Sequence, residues 1–174
     1  MMDTYLMGYM ASGKSTIGQM IASELDYHFI DFDNYISQKE EMTITDLFEK
    51  KGEIYFRKKE AFYLGELIQQ KSSKPRVIAL GGGTPCYGTN IQLLQQAQVI
   101  TIYLNLNVKA LTDRLWLEKE ARPLVAGQTS KEALEEFVRK HLFERGFYYN
   151  QADRVIKIDN KLPEVIVQEI QQLL

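Results

Sequence analysis

Short apolar runs alternate along this chain with longer stretches whose apolar residues recur at helical spacing. The strand-like runs cover residues 4–7, 28–32, 77–80, 99–104 and 154–158. The helical patterns cover residues 14–26, 33–39, 44–70, 88–97, 107–118, 130–149 and 163–173. Strands that alternate with helices favour right-handed crossovers and a parallel sheet covered by helices on both faces. The pattern therefore predicts an α/β fold and, because no repeat or linker divides it, a single domain over residues 1–174.

Composition narrows the classes of protein to which the chain can belong. Hydrophobic residues make up 45% of the 174 residues, as in an ordinary globular core, and the formal charge is −2. We expect no nucleic-acid partner, because a phosphate-binding surface is usually marked by a basic block and the sequence has none. The single cysteine, Cys86, and the two histidines, His28 and His141, provide neither an internal disulfide nor a zinc cage.

The apolar runs are also too short for a membrane protein. None approaches the ~20 residues that are needed to span a bilayer, so we expect no membrane partner. The first cation of the chain is Lys14, whereas a secretory leader begins with a basic region. We therefore expect a cytoplasmic protein that acts on small molecules as a monomer.

A candidate phosphate-binding loop follows the first predicted strand. Residues 8–15 read Gly-Tyr-Met-Ala-Ser-Gly-Lys-Ser and match G-x-x-x-x-G-K-[ST], with a helical pattern directly after them. In such a loop, successive backbone N–H groups point at one anion beside a helix N-terminus. Lys14 can reach the β- and γ-phosphates of a nucleotide, and the Ser15 hydroxyl can bind magnesium. The competing interpretation is a glycine turn with an exposed lysine.

Two other classes of phosphate-loop protein lack their motifs here. A GTP-dependent switch needs N-K-x-D to bind guanine, but residues 160–163 read Asn-Lys-Leu-Pro. A motor-type ATPase has an apolar strand that ends in acidic residues, whereas the strand at 77–80 runs into three glycines. The sequence therefore favours a kinase.

Two carboxylates, Asp31 and Asp33, come at the end of the second predicted strand. At strand spacing both side chains lie on one face, and ligands of parallel sheets bind at the carboxyl ends of the strands. We therefore expect both carboxylates to face the phosphate loop, where one supports magnesium and the other meets an acceptor hydroxyl. The alternative is a pair of solvated loop residues.

Two arginines, Arg57 and Arg145, fall on apolar stripes of predicted helices. The stripes consist of Ile54, Ala61, Leu64 and Ile68 in one helix and of Leu134, Val138 and His141 in the other. A buried guanidinium is costly unless an anion meets it, and its planar fork fits a carboxylate. The two arginines therefore predict a clamp for an anionic acceptor. Either one could instead pair locally, as Arg57 could with Glu60.

Two further segments are candidates for substrate contacts. The triplet Gly81-Gly82-Gly83 follows a predicted strand, where backbone without Cβ atoms can lie against a small ligand. Its alternative is a tight turn that requires positive φ. The charged loop 118–128 contains Arg122 and can act as a lid that excludes water and brings this arginine to the γ-phosphate. Its alternative is an ordinary connecting loop.

Taken together, these motifs resemble those of the shikimate kinase family, whose members are small P-loop enzymes with a nucleoside-monophosphate-kinase-like fold. The resemblance spans nearly the whole chain and rests on residues 8–16, Asp31-Phe32-Asp33, Phe56-Arg57 with Glu60, Gly81-Gly82-Gly83, Arg122-Pro123-Leu124 and Arg145. It implies a three-layer α/β/α fold with a five-stranded parallel sheet in the order 2-3-1-4-5, a substrate-binding region at 33–60 and a lid at 118–128. It also implies transfer of the γ-phosphoryl group of ATP, the co-substrate, to the 3-hydroxyl of shikimate, on the route to chorismate and the aromatic amino acids.

The same resemblance implies a role for each matching residue. The implied ATP-binding residues are Gly8, Ala11, Ser12, Gly13, Lys14, Ser15, Thr16, Arg114 and Arg122. The implied shikimate-binding residues are Asp33, Arg57, Glu60, Gly81, Gly82, Gly83 and Arg145. Ser15 would bind Mg²⁺ directly and Asp31 would bind it through water. Lys14, Asp33 and Arg122 would be the catalytic residues. One departure is Ala11, which stands where the family often has glycine.

Two competing functions share part of this pattern. Another small-molecule kinase on the same scaffold, specific for gluconate or a nucleotide, would also need the phosphate loop. A nucleoside monophosphate would further require phosphate-binding arginines and a base pocket. A regulatory ATP-binding domain with a dead site is the second competitor, and the intact set of Lys14, Ser15, Asp31 and Asp33 argues against it.

Overall fold

In the computed structural model, which describes residues 2–119 and 123–174, five parallel strands form one sheet in the order β2-β3-β1-β4-β5. The strands are β1 Asp3–Met7, β2 His28–Asp31, β3 Arg76–Ala79, β4 Val99–Asn105 and β5 Arg154–Lys157. Each predicted strand is present within one or two residues of its expected ends. The predicted sheet order is confirmed as well.

Helices follow the strands and cover both faces of the sheet. They are α1 Lys14–Leu25, α2 Phe32–Glu40, α3 Ile44–Lys51, α4 Glu53–Gln69, α5 Asn90–Gln96, α6 Val108–Leu117, α7 Pro123–Ala126, α8 Lys131–Tyr149 and α9 Pro163–Gln171. The helix expected over 44–70 is in fact two helices, because the backbone between them turns at Gly52 with φ 83° and ψ 165°. That conformation lies outside the helical region and is readily reached only by glycine.

The alternation of side chains along the strands separates the two helical layers. Leu6 of β1 points towards α1, since its Cδ1 lies 3.3 Å from the position of a Cβ built on Gly18. Tyr103 of β4 pairs with Met7, the next residue of β1, and therefore points to the other face. There its ring stacks on that of Tyr149 of α8, with centroids 5.0 Å apart. Helices α1 and α8 thus lie on opposite faces of the sheet, as a three-layer fold requires.

The core is continuous through the sheet because its central strands are buried on both faces. Four consecutive residues of β1, from Thr4 to Met7, are fully buried, and so are Val77 and Ile78 of β3. Near-continuous apolar strands are typical of parallel sheets enclosed by helices. Within the described ranges, no helix is long and apolar enough to cross a membrane.

The buried face of α4 differs from the predicted stripe. Ile54, the first residue of that stripe, is 77% exposed. The residues of α4 that are buried are Phe56, Glu60, Tyr63, Leu64 and Leu67. The helix is turned so that the ring of Phe56 packs on Phe48 of α3, with centroids 4.6 Å apart. Arg57 therefore lies at the margin of the core face rather than in its centre, and the buried charged side chain of this helix is Glu60. In α8 the stripe prediction is confirmed, since Leu134 and Val138 are buried.

Candidate active site

The phosphate loop connects the carboxyl end of β1 to the start of α1. Its backbone takes positive φ at Gly8 (147°), Ala11 (62°) and Gly13 (96°), which curls the loop around the Lys14 side chain. The Lys14 Nζ donates hydrogen bonds to the carbonyl oxygens of Gly8 and Tyr9, at 2.9 Å each. Ala11 adopts a left-handed conformation that costs an L-residue about 1 kcal/mol, which accounts for glycine being common at this position in the family it resembles.

The two carboxylates after β2 are not arranged as the sequence predicted. Strand β2 ends at Asp31, and Phe32 begins α2. Asp33 is therefore not part of the strand, and strand alternation does not determine how the two carboxylates are oriented. Asp31 instead caps α2, where its Oδ1 accepts from the Asn34 N–H at 3.2 Å. Its Oδ2 accepts from the Ser15 hydroxyl at 2.7 Å. Asp33 lies in the first turn of α2. Both carboxylates still face the phosphate loop, which was the expectation.

Asp33 has an unusual electrostatic environment. Burial and the neighbouring carboxylates Asp31 and Glu60 together raise the pKa of its carboxyl group to about 6, against the opposing charges of Lys14 and Arg57. A Cβ built on Gly81 would stand only 2.6 Å from the Asp33 Oδ1. The glycine is therefore required at this point so that the carboxylate can lie against the backbone.

A cavity of about 510 Å³ opens between these groups. Its lining residues are Met10, Ala11, Gly13, Lys14, Ser15, Thr16, Asp31, Asp33, Ala79, Leu80, Gly81, Gly82, Arg114 and Glu118. Ten of the predicted site residues are in this set. Gly8 and Ser12 are not; the Ser12 side chain is buried beneath the loop. The Arg114 guanidinium lies across the loop and donates to the Ala11 carbonyl at 3.0 Å. The cavity has room for the phosphates of a nucleotide next to Lys14.

Arg57 is held by anionic and aromatic neighbours. Its Nη1 donates to Glu60 Oε2 at 3.0 Å, and its guanidinium carbon lies 3.6 Å from the centroid of the Tyr87 ring. Glu60 itself is 1% exposed, and its Oε1 accepts from the Thr84 hydroxyl at 2.6 Å. The local ion pair, which was the alternative interpretation of Arg57, is therefore present. Arg57 lines a second cavity of about 550 Å³ together with Tyr87, and not the cavity beside Lys14.

The glycine triplet connects the phosphate loop to this arginine. A Cβ built on Gly82 would lie 3.2 Å from the backbone N of Met10, and one built on Gly83 would lie 3.2 Å from both terminal nitrogens of Arg57. None of the three glycines has positive φ, so the alternative of a turn that requires left-handed backbone is wrong. The triplet is glycine because three neighbours, Asp33, Met10 and Arg57, approach its backbone closely.

Arg145 reaches the same region from α8. Its guanidinium carbon lies 5.5 Å from the centroid of the Tyr9 ring. Burial raises the pKa of the Cys86 thiol to about 11, and both Arg145 and Arg57 act on the thiol in the opposite direction. The charges of the two arginines, which are 88 positions apart in the chain, therefore both act on the thiol in the turn Thr84–Cys86. Tyr149 of α8 donates its hydroxyl to the Gly82 carbonyl, which ties this helix to the glycine triplet.

The predicted lid is described only in part. Residues 120–122 of the expected lid 118–128, among them Arg122, lie outside the described residues. Of the remainder, 123–126 form the short helix α7, and the Lys119 ammonium donates to the Gln128 carbonyl at 2.9 Å. Within the part of the chain that the structure describes, no group of three or more His, Cys, Asp or Glu side chains could hold a metal ion without further ligands.

Several contacts of the site involve residues that the sequence analysis did not select. They are Tyr9, Thr84, Tyr87, His141 and Tyr149. Tyr9 occupies a variable position of the phosphate-loop pattern, so the motif gives no reason to select it. Tyr87 comes four residues after Gly83, and its aromatic ring next to a predicted arginine clamp is the one signal that could have been used.

Comparisons with known proteins agree with this geometry. A family model described as shikimate kinase matches residues 10–174. The chain is 45% identical to a protein named shikimate kinase from Flavobacterium psychrophilum, over 97% of this chain and 96% of that one. A crystal structure of shikimate kinase from Bacteroides thetaiotaomicron superposes with a TM-score of 0.89 at 32% identity, covering 99% of this chain and 97% of that one. A shikimate kinase from Acinetobacter baumannii in complex with shikimate superposes with a TM-score of 0.86 at 33% identity, covering 99% and 92%. The chain therefore belongs to the shikimate kinase family, the P-loop kinases that transfer the γ-phosphoryl group of ATP to the 3-hydroxyl of shikimate.

Proposed function

We propose that this chain performs the family's reaction with the residues gathered around its glycine triplet. One observation carries the proposal: the backbone at Gly82 lies against the phosphate loop at Met10 while the backbone at Gly83 lies against Arg57. A phosphate donor at the loop and a carboxylate acceptor at the arginine would therefore be neighbours. Such proximity is the main requirement of phosphoryl transfer, in which positioning and charge neutralisation supply most of the barrier reduction.

Lys14 and Arg114 would hold the nucleotide. The Lys14 ammonium now satisfies two loop carbonyls, and we propose that it turns to the β- and γ-phosphates when ATP binds. Arg114, which lies across the loop, would contact the adenine end of ATP. Its contact with the Ala11 carbonyl supports this role.

The residues next to the loop also fit Mg²⁺. Magnesium is usually bound in kinases by one or two protein oxygens together with substrate phosphates and water, and not by an all-protein cage. The Ser15 hydroxyl and the Asp31 carboxylate, 2.7 Å apart, are oxygen ligands of this kind. Ser15 would hold the ion directly and Asp31 through water. When bound, the ion would neutralise charge on the β- and γ-phosphates.

Arg57 and Arg145 would grip the carboxylate of shikimate. A guanidinium fork suits a carboxylate, and a second cation nearby strengthens the charge-assisted hydrogen bonds. Glu60 would orient Arg57, because its buried carboxylate is fixed in turn by Thr84. With the carboxylate held there, the ring hydroxyls of the acceptor face Asp33 and the phosphate loop.

Asp33 would take the proton of the reacting hydroxyl. The hydroxyl oxygen forms a bond to the γ-phosphorus, the bond from that phosphorus to the β-bridging oxygen breaks, and ADP departs. The hydroxyl proton passes to the Asp33 carboxylate, whose pKa of about 6 keeps it ionised at neutral pH yet basic enough to accept. Lys14 and Arg122 would stabilise the negative charge on the phosphoryl group during its transfer.

Three broader assignments complete the proposal. Residues 33–60 form the substrate-binding region, and the segment 118–128, with Arg122, acts as a lid that excludes water during transfer. The enzyme is cytoplasmic and monomeric. Sedimentation equilibrium of the purified protein at micromolar concentration tests whether it is a monomer. Hydrogen exchange in 118–128 should slow when ATP and shikimate are both present, and unchanged exchange would remove the lid.

The acceptor assignment is tested by ADP release with alternative acceptors. We expect turnover with shikimate and none with gluconate or nucleoside monophosphates. The methyl ester of shikimate keeps the hydroxyls but loses the negative charge, so kcat/KM should fall by roughly 30- to 1000-fold, as expected for about 2–4 kcal/mol of charged hydrogen bonds. Absence of shikimate-dependent ADP would overturn the assignment.

Variants of Arg57 test whether this residue belongs to the carboxylate clamp. Arg57→Ala should raise the KM for shikimate far more than the KM for ATP, and it should shrink the difference between shikimate and its methyl ester. Arg139→Ala is the matched control, because Arg139 is an exposed arginine of α8 that pairs with Glu135 of the same helix. If Arg57→Ala left the KM for shikimate unchanged, or if both variants behaved alike, Arg57 would not be part of the clamp.

A further inference from the structure

One residue of the phosphate loop contacts both sides of the proposed site. The carbonyl oxygen of Tyr9 accepts from the Lys14 ammonium at 2.9 Å. Its side chain is 1% exposed and crosses to α8, where the hydroxyl forms a hydrogen bond of 3.0 Å with His141 Nδ1. Tyr9 therefore connects the phosphate-binding lysine to the helix that carries Arg145.

The surroundings of this hydrogen bond fix its geometry. The rings of Tyr9 and His141 meet edge to face, with centroids 6.2 Å apart, and the ring of Phe137 backs the imidazole at 4.1 Å. Arg145 comes one helical turn after His141 and lies over the same tyrosine ring. The tyrosine is thus enclosed by two residues of α8 that are four positions apart.

Burial and the charges around His141 keep its imidazole ring neutral. The ionisable groups that face it are Lys140, Glu144 and Arg145 of its own helix and Tyr9 of the phosphate loop. Burial lowers the pKa of His141, as do the charges of Arg145 and Lys140, against the effect of Glu144. Burial raises the pKa of Tyr9 to about 12. At neutral pH both partners are therefore uncharged. The phenol O–H is the stronger acid of the two, so we assign Tyr9 as the donor and the imidazole Nδ1 as the acceptor, with the imidazole proton on Nε2.

We propose that Tyr9 and His141 are a pair of positioning residues that set the Arg145 guanidinium relative to the phosphate loop. The inference rests on the proposed function, because it takes Arg145 to be a ligand of the acceptor carboxylate. The pair touches neither phosphate nor acceptor. It acts by holding α8 against the loop, so that the anchored carboxylate and the γ-phosphate keep the separation that in-line transfer needs. Small displacements of reacting groups are costly in such a reaction.

A double-mutant cycle tests the pair. We expect Tyr9→Phe and His141→Leu each to lower kcat/KM for shikimate by about fivefold, the usual size for one partly buried hydrogen bond, with the KM for ATP unchanged. Because both changes remove the same interaction, the double variant should also lose about fivefold. A loss equal to the product of the two, or single variants without effect, would overturn the proposal.

A conservative variant and a control separate positioning from folding. His141→Asn keeps an acceptor close to the Nδ1 position and should retain more activity than His141→Leu. His28→Asn is the control, since His28 is exposed at the amino end of β2, whereas the site lies at the carboxyl ends of the strands. Equal losses in His141→Asn and His141→Leu would contradict the role of the acceptor nitrogen.

Nuclear magnetic resonance of the unmodified enzyme provides a test that needs no variant. The ¹⁵N shifts of His141 should place its proton on Nε2, and a proton on Nδ1 would overturn the hydrogen-bond assignment. Shikimate should raise the pKa of His141, because its carboxylate offsets the Arg145 charge, while His28 should not respond. An unresponsive His141 together with absent shikimate turnover would defeat the proposed function. A responsive His141 with an additive mutant cycle would defeat only the positioning pair.

Discussion

Replacing Asp33 by asparagine should stabilise the ligand-free protein while it abolishes catalysis. The native environment is unfavourable to the ionised carboxylate, because the group is buried and lies near Asp31 and Glu60. Asparagine has nearly the same shape and carries no charge to desolvate. Residues that are kept at a cost in stability are typical of active sites, where function and stability are in conflict.

The size of the effect follows from the titration of this one group. Folding raises the pKa of Asp33 from 3.8 to about 6. At about 1.4 kcal/mol per unit this corresponds to about 3 kcal/mol, and we expect about 1–3 kcal/mol because a buried amide also costs something to desolvate. For a chain of this size, that is an increase in Tm of roughly 3–10 °C.

The sign depends on pH in a definite way. Below about pH 4 the carboxyl is protonated in the folded and the unfolded chain, so it contributes no difference. Between pH 4 and 6 the folded chain retains a proton that the unfolded chain has lost, and stability falls as pH rises. Above pH 6 both are ionised and the full penalty applies. The gain from Asp33→Asn should therefore be small at pH 4.5 and largest above pH 7.

Differential scanning fluorimetry of both proteins from pH 4.5 to 8, without nucleotide, measures this difference. Asp46→Asn is the matched control with the opposite sign, because Lys50 and Thr43 lower the pKa of the Asp46 carboxyl. That variant should lower the Tm at neutral pH. A gain for Asp33→Asn that was constant over the pH range, or a loss at pH 8, would refute the assignment of a buried carboxylate with a raised pKa.

Three other predictions concern the site and its loop. Lys14→Ala should lower kcat by about a thousandfold or more with an unchanged circular dichroism spectrum, and retained turnover would contradict its role. Tyr87→Leu removes the ring stacked on Arg57 and should raise the KM for shikimate by about 2- to 30-fold, as expected for a cation–π contact of about 0.5–2 kcal/mol; an unchanged KM in a steady-state assay would exclude the contact. Ala11→Gly relieves a positive φ and should raise the free energy of unfolding in urea by about 0.5 kcal/mol, whereas Ala61→Gly within α4 should lower it by about 1 kcal/mol. Equal changes in the free energy of unfolding of the two variants would contradict the backbone strain assigned to Ala11.

Local sequence determined the architecture because the relevant signals are short in range. The apolar strands and the phosphate loop each depend on residues within one segment, and all five strands were found near their predicted positions. The loop motif requires glycine at backbone positions that other residues enter with strain, and Gly8 and Gly13 do have positive φ. The sheet order was available only through the family resemblance, since periodicity does not state which strands are neighbours.

Predictions that depended on the orientation of an element were less successful. The stripe through Ile54 was wrong, because packing of Phe56 on Phe48 decides which face of α4 is buried. The strand spacing of Asp31 and Asp33 was also wrong, because Asp31 ends its strand by capping the next helix. In both cases the sequence contained the right residues, but a contact outside the local segment set their direction.

Sequence by itself determined that this chain is an α/β phosphate-loop kinase and named the two arginines of its proposed clamp. Only the tertiary structure decided what surrounds them: the Tyr87 ring on Arg57, and the hydrogen bond between Tyr9 and His141 across 132 positions. The physical reason is that helix and strand propensities act between near neighbours, whereas a binding site is assembled by chain crossovers that bring distant side chains to one edge of the sheet.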